Sequence, residues 1–132
     1  MMNYKEDRPW GNFENLLDND KCKVKRIVIK PNQAPSYQYH FQRSEVWVLV
    51  EGSGELKLDG VIRNVSTGDV LEIPLKAKHQ IQNTGDVDLV FIEVQLGTYF
   101  GEDDIVRLED SYGRVYQQSH ISLRGTHPIP SL

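Results

Sequence analysis

Four polar side chains carry the strongest chemical signal in this sequence: Gln38, His40, Glu45 and His79. Gln38 and His40 sit two apart in Tyr37-Gln38-Tyr39-His40-Phe41, so on an extended chain they leave the same face, about 6.5 Å apart. Glu45 lies five residues beyond His40, an odd interval that would turn it to the opposite face of one continuous strand. A turn or bulge at Gln42-Arg43-Ser44 resets the alternation and lets Glu45 face inward. His79 opens another extended stretch after the Pro74-to-Lys78 loop. If the sheets close on each other, the four side chains converge in the interior. Two imidazoles, a carboxylate and an amide oxygen suit a borderline divalent ion, one per chain, with Zn foremost and Mn, Fe, Co or Ni as alternatives. Taken singly, each residue has a plainer role: a strand His as a hydrogen-bonded wall residue, a Glu at a strand start as a solvated group, a Gln as uninformative. Their order among the turn residues favours the ion.

The elements that must position these groups read as strands. Period-two alternation dominates from about residue 22 to 96, without long helical periodicity. It runs through Lys23–Lys30, Ser36–Gln42, Glu45–Val50, Glu55–Leu58, Val61–Val65, Val70–Pro74, His79–Asn83 and Leu89–Leu96. Gly-rich turns separate them, and Asp59-Gly60 is the strongest two-residue hairpin signal. Eight or so short strands with regular turns predict an all-β sandwich or small barrel. The run Leu89–Leu96, apolar at nearly every position, fits a strand buried on both faces or lying at a subunit contact. Lys23, Lys25, Arg26 and Lys30 read as a solvated edge. Residues 102–110 open with Glu102-Asp103-Asp104 and predict a short helical turn. A tail follows over 115–132, holding His120 and His127.

Composition bounds the rest. At 132 residues the chain predicts one domain, 1–114 with its N-terminal arm, followed by the tail. A single cysteine, Cys22, excludes an internal disulfide. No apolar run approaches a membrane span, and the first residues lack the apolar stretch of a signal peptide. A net charge of -4 gives no global attraction to nucleic acid or to an anionic membrane. The expectation is a cytoplasmic protein, a homodimer covering the apolar strands of a small barrel, with neither nucleic acid nor membrane as a partner.

The order Pro31-Asn32, Gln38-Tyr39-His40, Glu45, Gly52 and then Gly68, Pro74, His79, Asn83 resembles the two motifs of the cupin family. Further blocks narrow the resemblance. They are Arg8-Pro9-Trp10-Gly11, the run from Gln38 to Trp47, Glu93-Val94-Gln95, and Gly101-Glu102-Asp103-Asp104-Ile105-Val106-Arg107 with Tyr112-Gly113-Arg114. Together, over about residues 8–114, they are similar to the cupin domain of type II mannose-6-phosphate isomerases, often found at the C-terminus of mannose-1-phosphate guanylyltransferases. In that subgroup a Gln takes the place of the first metal-binding His, as Gln38 does here. The chain departs from the pattern at Phe41, Gln42 and Val46, where further histidines are usual, and at Asn32 and Lys76, where Gly is usual.

The resemblance implies a small cupin barrel and a metal-dependent interconversion of mannose 6-phosphate and fructose 6-phosphate through an enediolate, in the synthesis of polysaccharide precursors. It implies Gln38, His40, Glu45 and His79 as metal ligands. Glu102 is the expected acid/base, with Arg107 beside it, although those two could equally form a structural ion pair. Arg8, Lys25, Arg43, Lys78 and Arg107 are candidates to hold the phosphate, and Trp10 and Tyr99 to line the sugar site. Trp47 reads as a core aromatic. Two other classes stay open: an Fe(II) cupin dioxygenase, and a non-catalytic sugar-phosphate-binding module.

Overall fold

The computed structural model describes residues 3–110, which fold into eleven strands and no helix. In chain order they are β1 (Lys5–Arg8), β2 (Gly11–Asp18), β3 (Cys22–Ile29), β4 (Tyr37–Tyr39), β5 (Arg43–Glu51), β6 (Ser53–Leu58), β7 (Val61–Ser66), β8 (Val70–Ile73), β9 (His79–Asn83), β10 (Leu89–Gly97) and β11 (Val106–Glu109). They form two antiparallel sheets, ordered β1-β2-β3-β10-β5-β8 and β11-β4-β9-β6-β7. The inner faces enclose one hydrophobic core. At the β6–β7 hairpin Asp59 and Gly60 both take positive φ, 47° and 84°. Both central residues of a type I′ turn need such values, so Asp-Gly marked this hairpin correctly.

The inward faces of the central strands are zoned along their length. Following the register of β3, β10 and β5, Ile29 and Leu89 lead to Ile27, Phe91 and Leu49, then to Lys25, Glu93 and Trp47. The next row is Lys23, Gln95 and Glu45. One end of the roll is therefore a dry aliphatic core and the other a polar chamber. Trp47 and Phe91 stack at the boundary, ring centroids 4.4 Å apart. Each aromatic buried there contributes about 2–3 kcal/mol of hydrophobic stabilisation, and that anchors the polar groups beyond it.

Three expectations change. Lys23 and Lys25 belong to no solvated edge: β3 is an interior strand, and both side chains are buried on its inner face, while Arg26 faces outward. Residues 102–110 contain no helical turn. A turn at Glu102-Asp103 is followed by β11, whose Val106 is buried and pairs with Tyr39 of β4. Ile105-Val106 is β-branched, which favours a strand, and Asp104 caps the turn at Phe41-Gln42 instead of a helix. The N-terminal arm is a hairpin, β1–β2, that extends the larger sheet. The tail expected at 115–132 lies outside the described residues.

Candidate metal centre

β4 ends just before His40, and the chain turns at Phe41-Gln42. The turn is held by Asp104, whose carboxylate accepts the N–H of Phe41 (3.0 Å) and of Gln42 (2.9 Å). It resets the alternation one residue earlier than the spacing predicts, so Arg43, Glu45 and Trp47 all face inward. The carbonyl of the same Asp104 accepts a hydrogen bond from His40 Nδ1 (2.7 Å), and the Ala77 carbonyl accepts one from His79 Nδ1 (2.9 Å). Each ring thus has its Nδ1 proton engaged and presents its Nε2 lone pair to the chamber, an arrangement common among metal-binding histidines.

Glu45 completes the set. Its Oε1 accepts from Trp47 Nε1 (2.8 Å), and its Oε2 accepts from Arg43 Nε (2.8 Å) and lies 3.4 Å from His40 Nε2. One donor atom each from His40, Glu45 and His79 lies within 4.8 Å of the others, and all three residues are buried. Gln38, opposite His79 in the β4–β9 register, lines the same cavity. Its Nε2 donates to the Ser36 carbonyl and hydroxyl, which leaves Oε1 as the available ligand atom. Two nitrogens and a carboxylate at these separations, oriented by their own hydrogen bonds, fit a divalent ion. Arg43 Nη2, 3.3 Å from His40 Nε2, is aimed at one of the lone pairs such an ion needs.

Protonation favours the ligand forms. Burial, followed by the Arg43 charge, holds His40 down to about 3, and burial lowers His79. Burial alone would raise Glu45, but Arg43 and the two histidines outweigh it and keep the carboxyl well below its usual range. All three groups are unprotonated at neutral pH, as metal binding requires.

The chamber has a volume of about 110 Å3. Of the substrate-site candidates, Arg8, Trp10, Lys25, Arg43, Glu102 and Arg107 line it. Lys78 and Tyr99 do not: Lys78 is exposed with its backbone N–H bonded to Asp59, and Tyr99 bonds Asp103. Glu102 pairs with Lys25 and Lys23 at the mouth. Burial would raise its carboxyl, but Lys25 above all reverses this and holds it at about 2.

Two residues of the site escaped the spacing argument. Glu93 is buried on the inner face of β10, lines the chamber and accepts from Gln95 Nε2 (2.6 Å). Burial, reinforced by the Glu45 charge, pushes its carboxyl up to about 7. A carboxylate at the inward phase of an otherwise apolar strand was the available signal. Asp104 was hidden among the acidic residues assigned to a helical turn. Conversely, Phe41 and Gln42 are exposed, and Val46 faces out from β5. The positions where histidines are usual thus lie outside the chamber.

Comparison with known proteins identifies the family. The chain is 43% identical over 108 residues to a mannose-1-phosphate guanylyltransferase of Escherichia coli K12, a match covering 82% of the chain and 23% of that protein. It is 41% identical over 107 residues to the xanthan biosynthesis protein XanB of Xanthomonas campestris, with 81% and 23% covered. The chain therefore spans about a quarter of the length of these curated relatives. Among solved structures, the capsular polysaccharide assembling protein CapF of Staphylococcus aureus superposes with a TM-score of 0.70 at 23% identity, over 83% of this chain and 33% of that one. An RmlC-like cupin of Shewanella frigidimarina superposes at 0.66 and 22%, over 76% and 87%. The family described as mannose-6-phosphate isomerase, C-terminal, matches residues 2–110, and this chain belongs to it as a cupin domain.

Proposed function

We propose that this domain is a metal-dependent aldose–ketose isomerase that interconverts mannose 6-phosphate and fructose 6-phosphate in the cytoplasm, ahead of mannose activation for polysaccharide synthesis. The observation that supports it best is the buried His40–Glu45–His79 set opening into a chamber that holds both cations and a carboxylate poised near neutrality. A divalent ion at that set supplies Lewis-acid stabilisation, worth several kcal/mol, for negative charge developing on the sugar oxygens. The rest falls to the chain's own side chains. Arg8 and Arg107 line the chamber and suit a phosphate, which guanidinium groups bind through paired N–H donors. Glu93 sits one row from Glu45, next to Trp47 and Lys25 in the register, and of Glu93 and Glu102, the chamber carboxylates outside the ligand set, it is the better placed to move a proton between neighbouring carbons. A base works best when it titrates near the working pH. Glu102, held at about 2 by its lysines, positions Lys25 instead.

The test is elemental analysis of the purified protein followed by a coupled assay of mannose 6-phosphate consumption on the same sample. The proposal expects about one ion per chain and turnover supported by Zn or Mn without oxygen. Absence of turnover together with thermal stabilisation by the sugar phosphate would make the domain a binding module. The Arg43 contact to His40 Nε2 favours that second reading, because the guanidinium already supplies a cation to the site. Bound iron with oxygen uptake would point to a dioxygenase.

A further inference from the structure

Arg43 already sits on two of the presumed metal ligands. It opens β5, is 7% exposed, and donates both of its hydrogen bonds to those ligands. Nε donates to Glu45 Oε2 at 2.8 Å, and Nη2 lies 3.3 Å from His40 Nε2. His40 Nδ1 donates to the Asp104 carbonyl, so Nε2 is the acceptor of this contact and Nη2 the donor. These two acceptor atoms lie 3.4 Å apart, and they are the ones left for an ion, since the Trp47 indole engages Glu45 Oε1. A lone pair that accepts a guanidinium N–H is not open to a metal at the same time. Arginine also keeps its proton in proteins, so its charge opposes a second cation whatever the pH. The backbone at Arg43 is pinned on both sides. Gly97 faces it across the β5–β10 ladder, where a Cβ would overlap the Gln42 carbonyl and come within 2.9 Å of the Arg43 Cα. Asp104 holds the N–H of Gln42. Only side-chain rotation can carry the guanidinium off the ligands. Glu93 and Glu102 line the same chamber, and their charges favour Arg43 there.

We propose that Arg43 is a built-in competitor of the metal: its guanidinium engages the ligand atoms of His40 and Glu45 in the metal-free chain, and a divalent ion binds by displacing it. The inference rests on the metal-centre reading above and adds a regulation of that site. Without metal, Arg43 neutralises the buried Glu45 carboxylate, which would otherwise stand as a charge with only the Trp47 indole beside it. With metal, the same guanidinium works against the ion, both by its charge and by its hold on the two ligands. Arg43 thereby stabilises the empty chamber and lowers the affinity of the filled one. The sign of this effect separates it from a scaffolding role. A residue that merely orients the ligands strengthens metal binding, and its loss weakens it. Here the loss strengthens it. Glu45 keeps its orientation through the Trp47 hydrogen bond, and His40 and His79 keep theirs through the Asp104 and Ala77 carbonyls.

The test is Zn titration of the chelator-treated full chain in competition with a coloured chelator, with thermal unfolding on the same samples. Arg43→Leu removes the charge and the hydrogen bonds, and should bind Zn at least ~10-fold more tightly than wild type. Its metal-free unfolding midpoint should fall, and saturating Zn should raise that midpoint by more than it raises the wild-type one. Arg43→Lys keeps the charge but not the planar fork, and its affinity should lie between the two. If Arg43→Leu fails to fold without metal, the wild type decides alone by nitrogen NMR of arginine side chains. The Arg43 N–H signals should be protected from solvent exchange in chelator-treated protein and lose that protection on adding one equivalent of Zn. Equal or weaker Zn affinity in folded Arg43→Leu overturns the proposal and leaves the metal centre standing, as does protection retained in Zn-loaded wild type. No Zn bound by either protein overturns the metal centre, and the proposal with it.

Discussion

His40 follows the end of β4 and His79 opens β9, yet each binds a backbone carbonyl through Nδ1 and leaves Nε2 for the cluster with Glu45. That shared tautomer is a stronger sign of a metal site than proximity, because it keeps both Nε2 lone pairs available, the one on His40 facing Arg43 Nη2 at 3.3 Å. His40→Ala and His79→Ala should each abolish stoichiometric metal while leaving the sheets folded, as read by elemental analysis and circular dichroism. Metal retained by either variant would contradict the ligand set. Glu93 gives a kinetic prediction. Glu93→Gln keeps the shape and the partner Gln95 but cannot transfer a proton, so kcat should drop by about 100-fold or more with metal content and KM little changed. Glu102→Gln, which releases Lys25, should act mainly through KM. Parity on a period-two strand put Gln38 and His40 on one face in the sequence, while Glu45 needed the turn after His40 to come inward. Lys23 and Lys25 obey the same parity, with Ile27 and Ile29, but lysines on a strand read as solvent-facing until the polar chamber that receives them is known.

The turn between β4 and β5 decides whether His40 and Glu45 share a chamber, and one side chain on a third segment governs it. Asp104 reaches the N–H groups of Phe41 and Gln42 through its carboxylate and orients His40 through its carbonyl. Asp104→Ala leaves two backbone donors without their acceptor. It should cost about 2–4 kcal/mol in urea unfolding, since bonds to a charged acceptor contribute ~1.5–3 kcal/mol each. Loosening an outer-shell partner also predicts metal affinity weaker by about 10–100-fold. The loop before β9 carries the opposite opportunity. Lys76 in that loop adopts φ of 65°, as does Asn32 between β3 and β4. Asn tolerates that region, but Lys does not, at a penalty of about 1–2 kcal/mol. Lys76→Gly should therefore raise stability by roughly 0.5–1 kcal/mol after the entropy of glycine in the unfolded chain is subtracted. Strands β3 to β10 were legible through their alternation and turns. The outer strands were not: β1 and β2 looked like an arm, and Glu102-Asp103-Asp104 looked like a helix start. Pairing partners distant in sequence decide both cases, and local pattern carries no record of them.

At the level of the whole molecule, the polar chamber ties stability to pH through terms of opposite sign. His40 titrates near 3 in the folded chain against an ordinary 6.5, and His79 shifts the same way. As pH falls from 6.5, the unfolded chain gains protons at these positions that the folded chain refuses, so His40 removes about 1.4 kcal/mol of stability per pH unit and His79 acts in the same direction. Glu93 runs the other way. Its folded value near 7 lies above the ordinary 4.5, so between 7 and 4.5 the folded chain holds a proton that the unfolded chain lacks. Acidification through that window adds stability at about the same rate. His40 and Glu93 then nearly offset each other from pH 6.5 to 4.5, and His79 tips metal-free protein toward a net loss of stability. Below 4.5 the Glu93 contribution is complete, while Glu45 and Glu102, both lowered, begin to favour unfolding as well, so the decline steepens. Glu93→Gln removes the one opposing group. Urea unfolding of the chelator-treated variant across pH 7 to 4 should then lose stability more steeply than wild type between 6.5 and 4.5, by about 1.4 kcal/mol per pH unit. Equal slopes would mean that Glu93 titrates like a free carboxylate and lies outside the electrostatic reach of the chamber.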